Sequence, residues 1–296
     1  MKRNANIESP LNLYSDKEIY HKYLPFYEKF LKDIGKDQSF DIFEIGVFNG
    51  KSIEFWHKKF PNSNIIGADI VKEKDNWIKS KKIKYIQFDQ SKASILKKEL
   101  EKIKNPKIII DDGSHHPIHQ MIFLHLSTSE ILKRKNNEKK LIILEDIHTS
   151  LKRIMESRNF FQKTYNKLKD KIRLIFNKTN YDQEYWNYVK SLELTTTLGL
   201  LLSSKKIMDG SLQKDKFIEA LHEKTIKKGG SDLEIVLETL DNLLKAKKIS
   251  VYKRSELPDL CWKCGKDLFD PLTLKCSNCG SDPYSLCDSM TVVIEF

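Results

Sequence analysis

Acidic and histidine side chains are concentrated in one short stretch of the sequence, "IIIDDGSHHPIHQ" (108–120). Three isoleucines, typical of a buried strand, lead directly into Asp111 and Asp112, and histidines follow at positions 115, 116 and 119. Adjacent carboxylates and imidazoles at the end of a buried strand are costly unless they bind a cation or transfer protons. The stretch therefore predicts a site with metal or acid–base chemistry.

A second acidic pair, Glu145 and Asp146, comes directly after the apolar run "KLIIL" (140–144), and His148 follows it. The carboxyl ends of parallel strands meet at one edge of a sheet, so three or four carboxylates are expected to converge there. Hard oxygen ligands suit Mg²⁺, which keeps open positions for water or substrate hydroxyls. The simpler interpretation, strand-end acids that cap the following helices, requires less charge than two adjacent pairs provide.

Different roles are expected for the three histidines of the first stretch. His115 stands three residues after Asp112, close enough to act on a metal-bound hydroxyl. His116 and His119 are more typical of solvated or helix-capping imidazoles, since Pro117 suits the first turn of a helix.

Strand-like and helix-like segments alternate between residues 40 and 145. Strands are predicted at 40–45, 64–70, 84–88, 107–110 and 140–144, and apolar residues recur at helical spacing in "KSIEFWHKKF" and "SKASILKKELEKI". Two further strand-like runs, "ISVY" (249–252) and "MTVVIEF" (290–296), end the sequence. The pattern predicts a doubly wound, Rossmann-like α/β fold with a seven-stranded sheet, whose ligands bind beyond the carboxyl ends of the strands.

A glycine turn follows the first predicted strand in "FEIGVFNGKS", where Glu44 precedes Gly46 and Gly50. The G-x3-G spacing differs from the dinucleotide fingerprint and leaves a nucleoside or S-adenosylmethionine as the expected ligand. Asp69 ends the second strand and is placed to bind ribose hydroxyls, and Asp89 and Gln90 end the third, where they could contact an adenine edge.

Four cysteines have the spacing C-x2-C-x11-C-x2-C, namely Cys261, Cys264, Cys276 and Cys279. Two knuckles of this kind, each followed by glycine, predict a closed, structural Zn²⁺ site between the last two strands. Cys287 is the odd cysteine and is interpreted as a small buried residue.

The formal net charge of +11 raises the question of a nucleic-acid partner. Lys accounts for 46 of the 52 basic residues, and Lys is less suited than Arg to forked recognition of phosphates and bases. A lysine-biased surface is the preferred interpretation, and a nucleic-acid partner is not expected. No apolar run approaches a membrane span and the first residues lack a secretory signal, so a cytoplasmic protein without a membrane span is expected.

The remaining segments suggest four parts. An N-terminal helical segment covers 1–36, with Tyr20, Tyr23, Leu24 and Tyr27 as a packing stripe, and the Rossmann-like core covers 37–150. A lysine-rich, mainly helical insertion covers 151–248 and is interpreted as either a lid or a dimer contact. Whether the protein forms a homo-oligomer is therefore left open. The last two core strands, with the zinc-ribbon-like loop of four cysteines at about 256–288, cover 249–296.

Four stretches together resemble the class I, S-adenosylmethionine-dependent and Mg²⁺-dependent sugar O-methyltransferases, a family that includes enzymes acting on macrolide sugars. They are "SDKEIYHKYLPFYEKF", "FEIGVFNGKSIEFWHKKFPNSNIIGADI", "IDDGSHHPIHQMIFLHL" and "LIILEDIHTS", and the resemblance resumes at "CDSMTVVIEF". It implies a seven-stranded methyltransferase sheet and transfer of a methyl group to a sugar hydroxyl. The acceptor would be a polysaccharide, nucleotide-sugar or natural-product precursor.

By position, the resemblance implies that Asp112, Glu145 and Asp146 bind Mg²⁺ and that His115 is the general base. It places the cofactor among Glu44, Gly46, Gly50, Asp69, Asp89, Gln90 and Asp111. The aromatic residues that the family has soon after "EDIHTS" are replaced here by "LKRIMES", so the acceptor cannot be carried over. Two alternatives stay open: an RNA methyltransferase that uses the zinc loop and the basic surface, and a non-catalytic binding module.

Overall fold

The structure of the protein is a computed structural model. It describes residues 15–134, 138–150, 183–228, 233–254 and 289–296 and, in the cysteine-containing segment, residues 260–261, 263–267, 269–270, 273 and 275–281.

A seven-stranded mixed sheet lies at the centre of the described residues. Its strands are β1 (Asp41–Ile45), β2 (Asn64–Asp69), β3 (Ile83–Gln87), β4 (Pro106–Asp111), β5 (Leu141–Leu144), β6 (Lys248–Lys253) and β7 (Met290–Glu295). Their spatial order is β3-β2-β1-β4-β5-β7-β6. The first five strands are parallel, and β7 is antiparallel to both β5 and β6. The predicted Rossmann-like, seven-stranded sheet is therefore confirmed, whereas the zinc-ribbon-like character of the C-terminal loop stays a prediction.

Helices connect these strands. They are α1 (Asp16–Ile19), α2 (Leu24–Leu31), α3 (Lys51–Lys59), α4 (Ala93–Lys102), α5 (Pro117–Lys133), α6 (Gln183–Leu194), α7 (Thr197–Met208), α8 (Lys214–Lys228) and α9 (Leu233–Leu243), with a 3₁₀ turn at Ile147–Ser150. None of the described helices is long and apolar enough to cross a membrane.

Alternate residues of the central strands supply two apolar cores. Ile109 belongs to a cluster with α4, α5 and the helices between 183 and 243, whereas Ile108 and Ile110 belong to a cluster with α2 and α3. Burial of these side chains is the main favourable contribution to folding. Because helices cover both faces, the carboxyl ends of the strands are left as the edge at which a ligand can approach.

The described helices of the predicted 151–248 insertion pack directly on the core. Tyr188 and Leu240 lie in the same apolar cluster as Phe123 of α5, and the Thr197 hydroxyl donates to the carbonyl oxygen of Pro117 at 3.0 Å. Residues 151–182 lie outside the described residues. The division of the chain into four parts, and the role of this segment as a lid or a dimer contact, stay predictions.

Candidate active site

The glycine turn after β1 lies against the end of β4. Gly46 has a φ of +93°, and a Cβ atom there would lie 1.9 Å from the carbonyl oxygen of Asp112. The backbone amide of Asp112 donates to the carbonyl oxygen of Ile45 at 2.9 Å. Only glycine fits this approach, which brings the turn and the first acidic pair together.

A cavity of about 500 Å³ opens at the carboxyl ends of the strands, a size that suits a small organic ligand. Four residues predicted to contact the cofactor line it, namely Gly46, Asp69, Asp89 and Gln90. The exposed apolar side chains of Phe48, Ile70 and Val71 also line the cavity. An apolar wall with a few polar groups is typical of a nucleoside-sized ligand site.

Asp69 fixes the glycine turn from the adjacent strand. The backbone amides of Val47 and Phe48 donate to its Oδ2 at 2.9 and 3.1 Å, and that of Val71 donates to its Oδ1 at 3.1 Å. The carboxylate is thereby held in one orientation at the cavity wall.

The other three residues predicted to contact the cofactor do not line this cavity. Glu44 is fully buried and accepts a hydrogen bond from Ser52, and Gly50 lies beside Trp77 at the start of α3. Asp111 lies behind Gln90, whose amide donates to its Oδ1 at 2.7 Å, and burial raises the pKa of Asp111 to about 6. These positions support the cavity wall, and their role as cofactor contacts stays a prediction.

Three side chains offer a site for a metal ion. Asp112, His115 and Asp146 each present one potential ligand atom, and these atoms all lie within 4.8 Å of one another. His115 Nε2 lies 3.6 Å from Asp146 Oδ2, and the Thr149 hydroxyl donates to the His115 carbonyl oxygen at 2.6 Å. Two carboxylates and an imidazole form a donor set that suits a divalent cation.

Lys17 of α1 lies inside the predicted metal cluster, a placement that sequence reasoning missed. The residue is fully buried, and its ammonium group bonds to Asp112 Oδ2. Nζ also lies 2.8 Å from Glu145 Oε1, which makes a buried ion pair. Glu145 thus has a lysine partner where the resemblance implies a metal, and its role as a ligand stays a prediction.

The cluster carries more negative charge than one ammonium group balances. Burial alone would lower the pKa of Lys17, but Asp112, Glu145 and Glu44 outweigh it and raise that pKa well above its usual value. Burial also raises the pKa of each of these three carboxyls in spite of Lys17. The cluster has more carboxyl groups (Glu44, Asp112, Glu145 and Asp146) than the one ammonium group of Lys17 can pair with. The donor set of Asp112, His115 and Asp146 therefore fits a further cation such as Mg²⁺.

Asp146 is oriented by residues of the N-terminal segment. The Tyr23 hydroxyl donates to its Oδ1 at 2.7 Å, and Nδ1 of His21 lies 3.6 Å from the same atom. Burial opposes ionisation, yet His21, His115 and the Tyr23 hydrogen bond hold the pKa of Asp146 below its usual value. Asp146 also has a φ of +49°, a backbone conformation that non-glycine residues rarely adopt and that is concentrated at functional sites.

The predicted tyrosine stripe therefore has a second role. Tyr20, Tyr23 and Tyr27 are buried as predicted, but the Tyr23 hydroxyl bonds to a carboxylate and that of Tyr27 lies 3.0 Å from Thr291 Oγ1. Lys17, His21 and Tyr23 all lie in "SDKEIYHKYLPFYEKF", so the polar residues within that stretch were the signal that could have identified them.

His119 lies at the cavity wall. Pro117 is the first residue of α5, as the sequence predicts, and Nδ1 of His119 lies 2.6 Å from Ser114 Oγ. Burial lowers the pKa of His119 to about 4, so this imidazole is partly buried and neutral rather than solvated.

The four predicted zinc ligands form a separate cluster. Cys261 and Cys279 have their sulfur atoms 3.6 Å apart, and Cys264 and Cys276 have theirs 3.5 Å apart. Each knuckle closes in the same way, since the amides of Gly265 and Gly280 donate at 2.7 Å to the carbonyl oxygens of Cys261 and Cys276. The potential ligand atoms all lie within 4.8 Å of one another. Cys287 lies outside the described residues.

No protein-family model matches the sequence. The chain is 31% identical over 106 residues to the mycinamicin VI 2''-O-methyltransferase of Micromonospora griseorubida, covering 33% of this chain and 26% of that protein. It is 29% identical over 144 residues to the 8-demethyl-8-alpha-L-rhamnosyl tetracenomycin-C 2'-O-methyltransferase of Streptomyces olivaceus, covering 46% of this chain and 36% of that protein.

Among solved structures, the chain is similar to the MycE methyltransferase from the mycinamycin biosynthetic pathway in complex with Mg, SAH and mycinamycin VI. The TM-score is 0.47 at 21% identity, covering 68% of this chain and 46% of that chain. The alignments with the two curated relatives span 26% and 36% of their lengths. Within those alignments the chain is similar to sugar O-methyltransferases, and the resemblance predicted from its motifs is confirmed.

Proposed function

We propose that the protein is an S-adenosylmethionine-dependent O-methyltransferase that methylates a sugar hydroxyl. The acceptor class is a polysaccharide, nucleotide-sugar or natural-product glycoside precursor. One observation carries the proposal: Asp112 and His115 belong both to the wall of the cavity and to the potential metal cluster. A methyl donor in the cavity and an acceptor at the metal would therefore meet at these two residues. The names of the two curated relatives support the same reaction.

The cavity would hold the methyl donor through Gly46, Asp69, Asp89 and Gln90. The Asp69 carboxylate, fixed by three backbone amides, is placed to accept hydrogen bonds from ribose hydroxyls. S-adenosylmethionine supplies a methyl group on a positively charged sulfur, so orientation of the two reactants contributes much of the rate enhancement.

Asp112 and Asp146 would hold Mg²⁺, which, when bound, lowers the pKa of an acceptor hydroxyl. His115 would take the proton of that hydroxyl on its imidazole as the bond between the hydroxyl oxygen and the methyl carbon forms. The sulfur–methyl bond of S-adenosylmethionine breaks in the same step, and S-adenosylhomocysteine is the leaving group. Asp146, 3.6 Å from His115, stabilises the resulting imidazolium charge. General-base catalysis of this kind typically contributes about 10²–10⁴-fold.

The experiment is a cofactor-consumption screen over nucleotide-activated sugars, with Mg²⁺ and with excess chelator, for wild type and His115→Ala. Wild type should consume cofactor only with Mg²⁺, and His115→Ala should bind S-adenosylmethionine with little change while its turnover falls by about 10²-fold or more. Full activity in chelator, or full turnover by His115→Ala, contradicts the mechanism. Activity on RNA with binding that falls steeply with salt would favour an RNA methyltransferase. Cofactor binding without turnover on any acceptor would favour a binding module.

Zn²⁺ at Cys261, Cys264, Cys276 and Cys279 is the second metal that we propose. Two knuckles with matching backbone hydrogen bonds support a closed tetrahedral site. Four thiolates leave no open coordination position, so the role is structural. Metal analysis of the purified protein should find about one zinc per chain, and protein without zinc would contradict the assignment.

A further inference from the structure

Lys17 connects two groups of carboxylates at the candidate active site. Glu44 and Glu145 form an inner group, since both are fully buried and neither lines the cavity. Asp112 is shared, because its Oδ2 bonds to Lys17 while the residue also lines the cavity. Asp146 belongs to the outer group with His115. The ammonium group thus lies between the interior of the protein and the potential metal cluster.

The inner group holds Lys17 from several sides. Nζ lies 3.3 Å from Glu44 Oε1 and 2.8 Å from Glu145 Oε1. Glu44 is itself fixed by the hydroxyl of Ser52. A buried lysine with three carboxylate neighbours cannot be withdrawn without leaving uncompensated charge in the interior, which is strongly unfavourable.

In the outer group, Asp146 is oriented by side chains other than that of Lys17. The Tyr23 hydroxyl donates a hydrogen bond to Asp146, and ring nitrogens of His21 and His115 lie 3.6 Å from its carboxylate oxygens. The potential ligand atoms of Asp112, His115 and Asp146 lie close together, whereas Glu145 has Lys17 at ion-pair distance.

We propose that Lys17 is a positioning residue that serves as the resident cation of the carboxylate cluster: it pairs with Glu145, orients Asp112, and confines the divalent ion to Asp112 and Asp146, beside His115. The inference rests on the proposed function, because it concerns the Mg²⁺ site of that reaction. The resemblance implies that Glu145 binds Mg²⁺, whereas the inference makes Glu145 the counter-ion of Lys17.

Charge-matched variants of the full chain test this role. Lys17→Met removes one positive charge, Glu145→Gln removes one negative charge, and the double variant leaves the net charge of the cluster unchanged. The matched control is Lys17→Met with Asp146→Asn, which has the same net charge but lacks a proposed ligand. Mg²⁺ affinity is measured by calorimetry, and thermal unfolding is measured in chelator and in Mg²⁺.

Lys17→Met should unfold at a lower temperature in chelator, should recover with Mg²⁺, and should bind Mg²⁺ about tenfold more tightly, since a nearby repulsive charge is gone. Glu145→Gln should weaken binding through the lost negative charge. The double variant Lys17→Met/Glu145→Gln should return to within about threefold of wild-type affinity, because the two charges cancel as in a double-mutant cycle. The control double variant should remain at least about tenfold weaker.

The inference is overturned if Lys17→Met/Glu145→Gln binds Mg²⁺ as weakly as the control double variant, because Glu145 is then a ligand. It is also overturned if Lys17→Met changes neither the metal-free stability nor the affinity. If Lys17→Met does not fold, comparison of the two double variants still decides the role of Glu145. If the wild-type protein turns over without binding Mg²⁺, both the metal role in the proposed function and this inference are contradicted. If only Lys17→Met/Glu145→Gln loses affinity for Mg²⁺, this inference is contradicted and the proposed function is not.

Discussion

A Cβ atom at Gly46 would lie 1.9 Å from the carbonyl oxygen of Asp112. Gly46→Ala must therefore move either the turn after β1 or the end of β4, and it should destabilise the protein by about 4 kcal/mol or more. Gly210 is the matched control, since it also has a positive φ, +78°, but has nothing within 4 Å of the position of a Cβ atom. Gly210→Ala should cost only about 1 kcal/mol through backbone strain. Urea unfolding compares the two variants, and equal losses would show that the close approach is not what requires glycine.

Tyr23→Phe should weaken Mg²⁺ binding by about tenfold, because the hydroxyl that orients Asp146 is lost and such supporting hydrogen bonds tune metal affinity. Tyr27→Phe is the control: it removes a buried hydroxyl of the same helical segment, but one whose partner is Thr291. Calorimetric titration with Mg²⁺ measures both variants. Equal weakening by the two substitutions would assign the effect to packing rather than to Asp146.

Acid should destabilise the protein through His119, because burial holds its pKa at about 4 in the folded state, below the value of about 6.5 in the unfolded chain. The unfolded chain then binds the proton more readily, so this contribution is fully present above pH 6.5 and is lost as the pH falls toward 4. His119→Gln should reduce the loss of unfolding free energy between pH 7 and pH 4.5 by an amount on the order of 2 kcal/mol. His222→Gln, at an exposed position of α8, is the comparison variant in urea titrations, and an identical effect of the two variants would exclude His119 as the source.

Ser281 should strengthen zinc binding. Its hydroxyl oxygen lies 3.0 Å from the sulfur of Cys261 and 3.1 Å from that of Cys279, and hydrogen bonds from Ser281 lower the pKa of Cys279 to about 6. Because the thiolate is the metal ligand, Ser281→Ala should release zinc to a chromogenic chelator about tenfold faster. Thr273→Ala removes a hydroxyl of the same loop that bonds to Asp270 instead and should not change the rate. A Ser281 variant that releases zinc at the wild-type rate would contradict this role.

The sheet could be predicted from sequence because its strands are short apolar runs between polar turns. The predicted strand at 64–70 corresponds to Asn64–Asp69, and that at 290–296 to Met290–Glu295. Burial on both faces makes such runs continuous rather than alternating. The carboxylates at the strand ends followed from the same reasoning, since strand direction determines the edge at which they lie.

The partners of those carboxylates could not be predicted in the same way. Lysine is rarely fully buried, and Lys17 stands 95 residues from its hydrogen-bond partner Asp112, a pairing that no local pattern indicates. The resemblance implies that Asp111 contacts the cofactor, but the hydrogen bond from the Gln90 amide to Asp111 could not be predicted from any local pattern. The position of a residue at the end of a strand, together with the direction of that strand, indicates the edge of the sheet at which the residue lies. How deeply its side chain is buried at that edge depends on tertiary packing.

The N-terminal segment that orients Asp146 also contacts strand β7 and Ser289, the residue that precedes this strand. His21 Nδ1 lies 3.0 Å from Ser289 Oγ, and the Tyr27 hydroxyl lies 3.0 Å from Thr291 Oγ1. During synthesis, residues near position 20 leave the ribosome long before residues near position 290. The final geometry of the carboxylate cluster is therefore expected to form only after β7 has inserted between β5 and β6.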